Sequence, residues 1–427
     1  MLGKLNSPTS ASQGHKSLNL DTKIGAEASL YNRHWDHTVG CTLAAFLKGA
    51  GYDSQSRTRI QSQFSTLVAP YLGSSPAHGV PRWKSFMTDN HCPVELSWDF
   101  HTGINQPTIR YSIEPISLDA GTASDPYNER AAVYFRQVAA REFPSIDTTL
   151  FDHFEAYFNR RWSLDMPEGH HSTMFWAFDL KENSTTNKAY FFPGAIAHAM
   201  GKSALDVVTD AITSSAGFKL ENISSLTTFA RFVNERRHLH LEMDMLALDL
   251  LPLEKTRLKI YFRDRRTDFT SVEEMMSLGG RVRDGEFDIG MRNLRHLWDA
   301  LLGTRGVSDD VPLRHNDHRT AGILYNVEFR TGSTIPKVKV YIPVRHYSKN
   351  DAQIIEALRG FLADQVVKQP DVAVDLVWAT RYSDCLHSIF GEETLSRGLG
   401  VHTYIGCSIE SKGDLRVVAY VNPLPYT

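Results

Sequence analysis

The chain is poor in the features that would place it in several large classes. Four cysteines in 427 residues (Cys41, Cys92, Cys385 and Cys407), with no CxxC spacing, exclude a disulfide framework and a zinc knuckle. No apolar run reaches the ~20 residues of a membrane helix. The N-terminus, MLGKLNSPTSASQGHKSLN, lacks the apolar core of a secretion signal, and residues 1–25 read as a flexible tail. Neither charge sign dominates: a net charge of -3 offers no pull toward nucleic acid or an anionic membrane. There is no GxxxxGK[ST] loop and no nucleotide fingerprint. A DDxxD motif is also missing, since Asp309-Asp310-Val-Pro-Leu has the wrong spacing and falls in a loop. The eighteen histidines contain no HExxH. His238 and His240, read on one strand face with Glu242, are expected to be polar wall or rim residues, so no metal site is expected. A hydrophobic fraction of 42% and a charged fraction of 22% are those of a globular protein. The expectation is a reduced, cytoplasmic protein with neither membrane nor nucleic-acid partner.

What the chain does contain is a recurring strand. A basic residue and a tyrosine lie two or four positions apart in Lys188-Ala-Tyr190, Arg257-Leu-Lys259-Ile-Tyr261, Lys337-Val-Lys339-Val-Tyr341 and Arg416-Val-Val-Ala-Tyr420, and a related strand carries Arg110. The copies are roughly 70–80 residues apart, too far for a solenoid repeat. Strand positions i, i+2 and i+4 share a face, so each copy places cation and phenol on the same side of a sheet.

Alternation predicts five strand pairs, at 93–100 with 107–114, 174–181 with 187–192, 238–246 with 256–262, 323–330 with 336–342, and 400–410 with 414–421. Between them lie helical spacings: Leu43, Phe46, Leu47 and Ala50; Leu205, Val208 and Ile212; Ile354, Leu358, Phe361 and Leu362. Phe135 reads as helix core. Ser271-Val-Glu-Glu274 predicts a capping box, with Gly279-Gly280 ending that helix. Glu95, Ser97 and Asp99 oppose Val94, Leu96 and Trp98, while Arg257, Lys259 and Tyr261 oppose Leu258, Ile260 and Phe262. His238, His240, Glu242 and Asp244 likewise oppose Leu239, Leu241, Met243 and Met245. The helices are available to cover the apolar face. About ten strands sharing one polar face tend to close. The expected fold is α+β: ten antiparallel strands around a polar lumen with helices outside, forming a single domain over residues 26–427.

Many cations lining one lumen need an anionic guest, because buried like charges repel. Diphosphate accepts several charge-assisted hydrogen bonds. Aromatic faces stabilise a cation by about 0.5–2 kcal/mol each. An allylic diphosphate, an anion at one end that ionises to a cation at the other, satisfies both. Phosphate charge would then be met by side chains, with no cofactor required.

In these residues the chain resembles the fungal aromatic prenyltransferases of the dimethylallyltryptophan synthase type, which have an αββα barrel. The resemblance runs from about Ala26 onward. It is carried by Pro93-Val-Glu95-Leu-Ser, Ile109-Arg110-Tyr-Ser-Ile-Glu-Pro115, Phe178-Asp-Leu-Lys181, Lys188-Ala-Tyr190-Phe-Phe-Pro193, Arg257-Leu-Lys259-Ile-Tyr261, Leu278-Gly-Gly-Arg281, Lys337-Val-Lys339-Val-Tyr341-Ile-Pro343 and His402-Thr-Tyr404-Ile. It implies that Arg110, Lys188, Arg257, Lys259 and Lys339 bind the diphosphate of dimethylallyl diphosphate. It implies that Tyr190, Tyr261, Tyr341 and Tyr404, with Tyr420 from the strand pattern, shield the prenyl cation. Glu95 would accept a hydrogen bond from the indole N–H, and Lys181 would take the proton from the arenium intermediate. Met87 and Thr88, with Glu95, would line the acceptor pocket. Where relatives carry a further aromatic after Tyr404, this chain has Gly406-Cys407-Ser408, with Tyr420 or Phe192 as substitutes.

The expected activity is metal-independent dimethylallyl transfer to an indole in secondary metabolism, such as alkaloid biosynthesis. A phenolic, quinone, xanthone or tyrosine-type acceptor is the alternative, and a non-catalytic barrel binding polyanionic or aromatic ligands is a further one. The expected partners are small molecules, and a homodimer is one allowed assembly.

Overall fold

Ten antiparallel strands close into one barrel. Hairpins pair β1 (Val94–His101) with β2 (Thr108–Ile113), β3 (Met174–Leu180) with β4 (Thr185–Phe191), and β5 (Glu242–Asp249) with β6 (Leu258–Asp264). β7 (Ile323–Phe329) pairs with β8 (Lys337–Ile342), and β9 (His402–Ile409) with β10 (Leu415–Val421), which closes back on β1. This computed structural model describes residues 33–75, 80–103, 105–158, 170–367 and 377–425. The tail expected over residues 1–25 lies outside the described residues.

The strands form where apolar residues alternate with polar ones, and the apolar set faces outward under helices. Trp98, Trp176 and Tyr325 are fully buried on that outer face. Helix α1 (Cys41–Gly49) lays Phe46 edge-on against Trp98, with ring centroids 5.6 Å apart. α2 (Ser54–Gln63) is capped by Asp53, whose carboxylate accepts from the Ser56 N–H at 2.8 Å. α3 (Glu129–Glu142) brings Phe135 against Trp176 at 5.3 Å, and α4 (Thr149–Phe158) covers the same tryptophan with Phe151. α5 (Gly194–Met200), α6 (Ala204–Ser214) and α7 (Ser224–Glu235) follow β4, then α8 (Phe269–Met276) and α9 (Gly285–Leu302) follow β6. α10 (Val344–Tyr347), α11 (Asp351–Val367) and α12 (Val377–Arg397) precede β9. Burying each such aromatic or aliphatic side chain contributes about 1.5–3 kcal/mol, so one closed apolar layer between barrel and helices holds the fold.

Two local expectations are corrected. The cap of α8 is Asp268, not Ser271: its carboxylate accepts from the Ser271 N–H at 2.8 Å and from the Ser271 hydroxyl at 2.7 Å. The helix therefore starts three residues earlier than the Ser-x-x-Glu spacing suggests. β5 begins only at Glu242, because Arg237–Leu239 forms a 3₁₀ turn and His240 sits at φ 50°. His238 and His240 are therefore not on a strand face with Glu242.

Three irregularities break strict alternation. In β5 the register passes from Met243 opposite Phe262 to Met245 opposite Tyr261, leaving Asp244 as an extra residue. Between β9 and β10, Ala419 pairs with Ile405 but Val421 with His402. Tyr420 therefore faces two residues, Thr403 and Tyr404. The third shift lies in β1 between Asp99 and His101. A bulge re-aims the side chains after it. Met245, expected on the apolar face with Met243, instead turns into the lumen.

Candidate active site

The lumen is layered. Neighbouring strands carry lumen-facing partners in register: Ser97 opposite Arg110, Arg110 opposite Asp179, Lys188 opposite Asp249, Lys259 opposite Glu328, and Lys339 opposite Ser408. The result is a ring of charge at one end of the barrel. Arg110 pairs with Asp99 at 2.5 Å and Asp179 at 3.1 Å, and Lys188 closes on Asp179 from the other side. Arg257 meets Asp249 at 2.5 Å and Glu328 at 3.4 Å, and Lys259 reaches Glu328 at 3.6 Å. Arg416 completes the ring on Asp99.

Six cations thus face four carboxylates, which corrects the expectation that the lumen cations wait unpaired for an anion. The carboxylates hold them in place, and the basic side chains outnumber them by two. Burial opposes ionisation of Asp99 and Asp179, but Arg110 with Arg416, and Lys188 with Arg110, outweigh it and keep both carboxyls below their usual range. Burial lowers Lys259 to about 8, and neighbouring Arg257 adds to the effect. Lys339 has no carboxylate in the ion pairs of this ring. Its ammonium lies 4.7 Å over the Tyr341 ring and 5.5 Å over the Tyr420 ring, and donates to the Tyr420 hydroxyl at 3.3 Å. Burial lowers it to about 7, with Asp99 pulling upward and Arg110, Lys259 and Arg416 pushing down. Gly406 makes room for it, since a Cβ there would lie 2.7 Å from Lys339 Cε.

Above the charges sits a belt of phenols. Tyr190 and Tyr261 stand 5.9 Å apart, Tyr261 and Tyr341 5.6 Å, Tyr341 and Tyr420 5.6 Å, and Tyr341 and Tyr404 6.4 Å. Asn326 donates to the Tyr341 hydroxyl at 2.7 Å, which in turn lies 3.3 Å from that of Tyr261. Such a belt presents aromatic faces to whatever lies in the cavity.

A partly open cavity lies over this belt. Its walls include the five tyrosines together with Phe86, Met87, Thr88, Glu95, Phe175 and Met245. Glu95 accepts from the Thr403 hydroxyl at 2.6 Å. Burial raises its carboxyl to about 7; the Thr403 bond works against the shift and the Asp89 charge adds to it. The far wall is polar. Asp244 pairs with Arg263 at 2.9 Å, and Arg345 closes on Asp89. Burial lowers His346 to about 4, with the Asp89 charge pulling upward and Arg345 and Arg263 pushing down, so it is neutral near pH 7. Asp89, His318 and His346 bring ligand-type atoms within 4.8 Å of one another. Arg345 already holds that carboxylate, and the Thr320 hydroxyl lies 2.7 Å from His346 Nε2 and 3.0 Å from His318 Nδ1. The cluster satisfies itself by hydrogen bonds and fits a polar wall better than a metal centre.

The residues expected from sequence fall into three places. Glu95, Met87, Thr88, Tyr190, Tyr261, Tyr341, Tyr404 and Tyr420 line the cavity, and Arg110, Lys188, Arg257, Lys259 and Lys339 form the charged ring beneath it. Lys181 does not join them. It is exposed just past the end of β3, its N–H bound to the Ser184 carbonyl and its own carbonyl to Arg59. The β3 residue opposite Tyr190 at the cavity is Phe175. Phe192 packs behind the wall against Phe86 and Phe175, so of the two substitutes Tyr420 is the one that faces the cavity. Sequence reasoning left out Asp179, Asp249, Glu328, Arg263, Thr403 and the Asp89–Arg345 pair. Arg416 was visible in the repeated strand.

Residues 32–371 match the family model described as tryptophan dimethylallyltransferase. The chain belongs to this family. It is 36% identical over 414 residues to the 4-O-dimethylallyl-L-tyrosine synthase of Claviceps purpurea, covering 94% of this chain and 90% of that protein. To the 7-dimethylallyltryptophan synthase of Aspergillus fumigatus it is 31% identical over 418 residues, covering 92% and 85%. The fold is similar to that of AnaPT from Neosartorya fischeri, with a TM-score of 0.78 at 24% identity over 96% of this chain and 98% of that one. NotF in complex with brevianamide F and DMSPP gives 0.77 at 22% identity, covering 92% and 95%. This member of the tryptophan dimethylallyltransferase family is an aromatic prenyltransferase, so the reading as a barrel without chemistry falls away. No helix among the described residues is long and apolar enough to cross a membrane.

Proposed function

We propose that the enzyme transfers a dimethylallyl group from dimethylallyl diphosphate to a free aromatic amino acid, with the phenol oxygen of tyrosine as acceptor. The observation that carries this reading is Glu95, a half-buried carboxyl raised to about 7, set beside the tyrosine belt with one oxygen held by Thr403. A carboxylate so poised can take a phenolic proton while the phenol oxygen attacks. Lys181, the base implied for an arenium intermediate, is exposed and outside the cavity wall, whereas in ether formation the proton lost is the phenol's own, so one carboxylate can serve as both hydrogen-bond partner and proton acceptor. The relative named as a 4-O-dimethylallyl-L-tyrosine synthase supports the same choice.

In this mechanism the donor's C–O bond breaks and the electron pair leaves with the diphosphate. Arg110, Lys188, Arg257, Lys259, Lys339 and Arg416 stabilise that charge, and their orientation is set beforehand by Asp99, Asp179, Asp249 and Glu328. The tyrosine belt faces the allylic cation. The phenol oxygen bonds to the prenyl carbon, and its proton passes to Glu95. Met87 and Thr88 flank the ring, and the Asp89–Arg345 and Asp244–Arg263 pairs offer opposite charges to an ammonium and a carboxylate. Every carboxylate of the ring is already engaged by Arg or Lys, which supports charge neutralisation without a metal. EDTA-treated enzyme is expected to keep its rate, and a loss restored by Mg²⁺ would overturn that part.

Prenylation of an indole is the second reading. Glu95 would equally accept an indole N–H, and neutral His346 on the cavity wall can receive a ring proton. The relative named as a 7-dimethylallyltryptophan synthase supports it. Incubation with tyrosine, tryptophan and a tryptophan-containing cyclic dipeptide, followed by NMR of the product, decides between them. An aryl ether from tyrosine is expected; exclusive C-prenyl tryptophan would install the second reading.

A further inference from the structure

Thr403 joins two strands that are not neighbours. It lies on β9 and donates to Glu95 on β1 at 2.6 Å, across β10. Strict alternation from Tyr404 would turn it outward, away from the lumen. It faces inward only because β9 gives two residues against Tyr420.

That bulge is firmly pinned. The Asp351 carboxylate accepts from the N–H groups of Val401 at 3.1 Å and His402 at 2.8 Å, and pairs with His402 Nδ1 at 2.8 Å. With Nδ1 donating, Nε2 accepts from the Tyr382 hydroxyl at 2.8 Å. The Asn422 N–H holds the Val401 carbonyl at 2.8 Å. Asp351, His402 and Tyr382 are buried. Buried polar groups this fully satisfied rigidify their backbone. A fixed strand end therefore aims one hydroxyl at one carboxylate oxygen.

We propose that Thr403 is a positioning residue for Glu95, holding its carboxylate in the orientation and charge state that receive the acceptor's proton. The inference rests on the reading of Glu95 given above. The hydroxyl engages Oε1 and leaves Oε2 for the acceptor. The groups facing Glu95 are Asp89 from the preceding loop, the Cys92 thiol on its own segment, the Tyr420 phenol on β10 and Tyr404 beside Thr403, while its β2 partner Ser112 does not titrate. Burial and Asp89 favour the neutral acid, and the Thr403 hydrogen bond is the interaction that favours the carboxylate. Removing it therefore moves ionisation to higher pH.

The test is the pH dependence of kcat/KM for the acceptor in the intact enzyme, Thr403→Val, Thr403→Ser and Glu95→Gln. A hydrogen bond to a charged group corresponds to about one pH unit. Thr403→Val is expected to shift the acidic limb upward by about that much. Activity should fall about tenfold at the acidic end and recover as pH rises, since the ionised form is the active one. Thr403→Ser should restore the original limb. An unshifted profile, or a loss equal at every pH, would overturn the proposal. If the valine variant fails to fold by circular dichroism, Thr403→Ala answers the same question. Adding Thr403→Val to Glu95→Gln should produce no further pH-dependent loss, and one that persisted would also overturn it. Full activity in Glu95→Gln alone would instead remove the acceptor reading. Sensitivity to Glu95→Gln with an unmoved Thr403→Val limb sinks the Thr403 inference alone.

Discussion

Lys339 ties donor binding to proton uptake. Its amine lies between the Tyr341 and Tyr420 rings without a carboxylate of its own in the charged ring, and burial with three neighbouring guanidinium and ammonium groups lowers it to about 7. At pH 7 about half of the molecules therefore carry a neutral amine, and at pH 8 about nine-tenths do. A diphosphate placed beside it favours the ammonium, so the pKa in the complex rises above that of the free enzyme. The linkage then has a definite sign: donor affinity is fully present below about pH 7 and falls as pH rises toward the pKa of the complex. In that window the loss is about tenfold per pH unit, or about 1.4 kcal/mol. Calorimetry with dimethylallyl thiolodiphosphate in buffers of different ionisation enthalpy reads the proton directly. Uptake of about 0.5 proton at pH 7 and about 0.9 at pH 8 is expected, over and above any titration of the ligand. Lys339→Met should lose this component and bind the ligand with a flatter pH dependence. Equal proton uptake by the two proteins at pH 8 would refute the reasoning.

Replacing Arg110 and Lys259 together by alanine should reduce prenyl transfer by at least about 10²-fold, since each removed donor to a developing charge costs about 2.7–4 kcal/mol; undiminished turnover would show that the diphosphate lies elsewhere. Gly406→Ala brings a Cβ to 2.9 Å from Lys339 Nζ and 3.2 Å from the Tyr420 ring. Donor KM should rise several-fold with little change in acceptor KM, checked by steady-state kinetics. Tyr341→Leu removes an aromatic face worth about 0.5–2 kcal/mol to a cation, so the fraction of donor lost to hydrolysis should grow by roughly two- to thirty-fold. Tyr341→Phe keeps the face and should stay near the parent in an assay of dimethylallyl alcohol against prenylated product.

Strand existence was legible because period-2 alternation is local. Nine of the ten expected strands sit within about two residues of those observed; the start of β5 was misread because the polar-apolar alternation of His238 to Leu241 looks like a strand but contains a left-handed His240. The cations and phenols were legible for the same reason. Their carboxylate partners were not. Asp99 meets Arg110 eleven residues away and Arg416 at a separation of 317, and no local pattern encodes such a pairing. Lys181 illustrates the reverse error: it continues the lumen face of Asp179 in sequence, but β3 ends at Leu180 and leaves it in solvent.

By itself the sequence determined which residues share a face, because side-chain direction in a strand depends only on parity. From that came the barrel, its cationic and phenolic lining, and the family. Only the tertiary structure decided how the lining is used. Closure brings strands distant in sequence side by side, so Asp99, Asp179, Asp249 and Glu328 could pair with the cations. The bulges in β5 and β9 change parity by one residue, turning Met245 and Thr403 inward. Parity is a local property. Register across a closed sheet is set jointly by all ten strands.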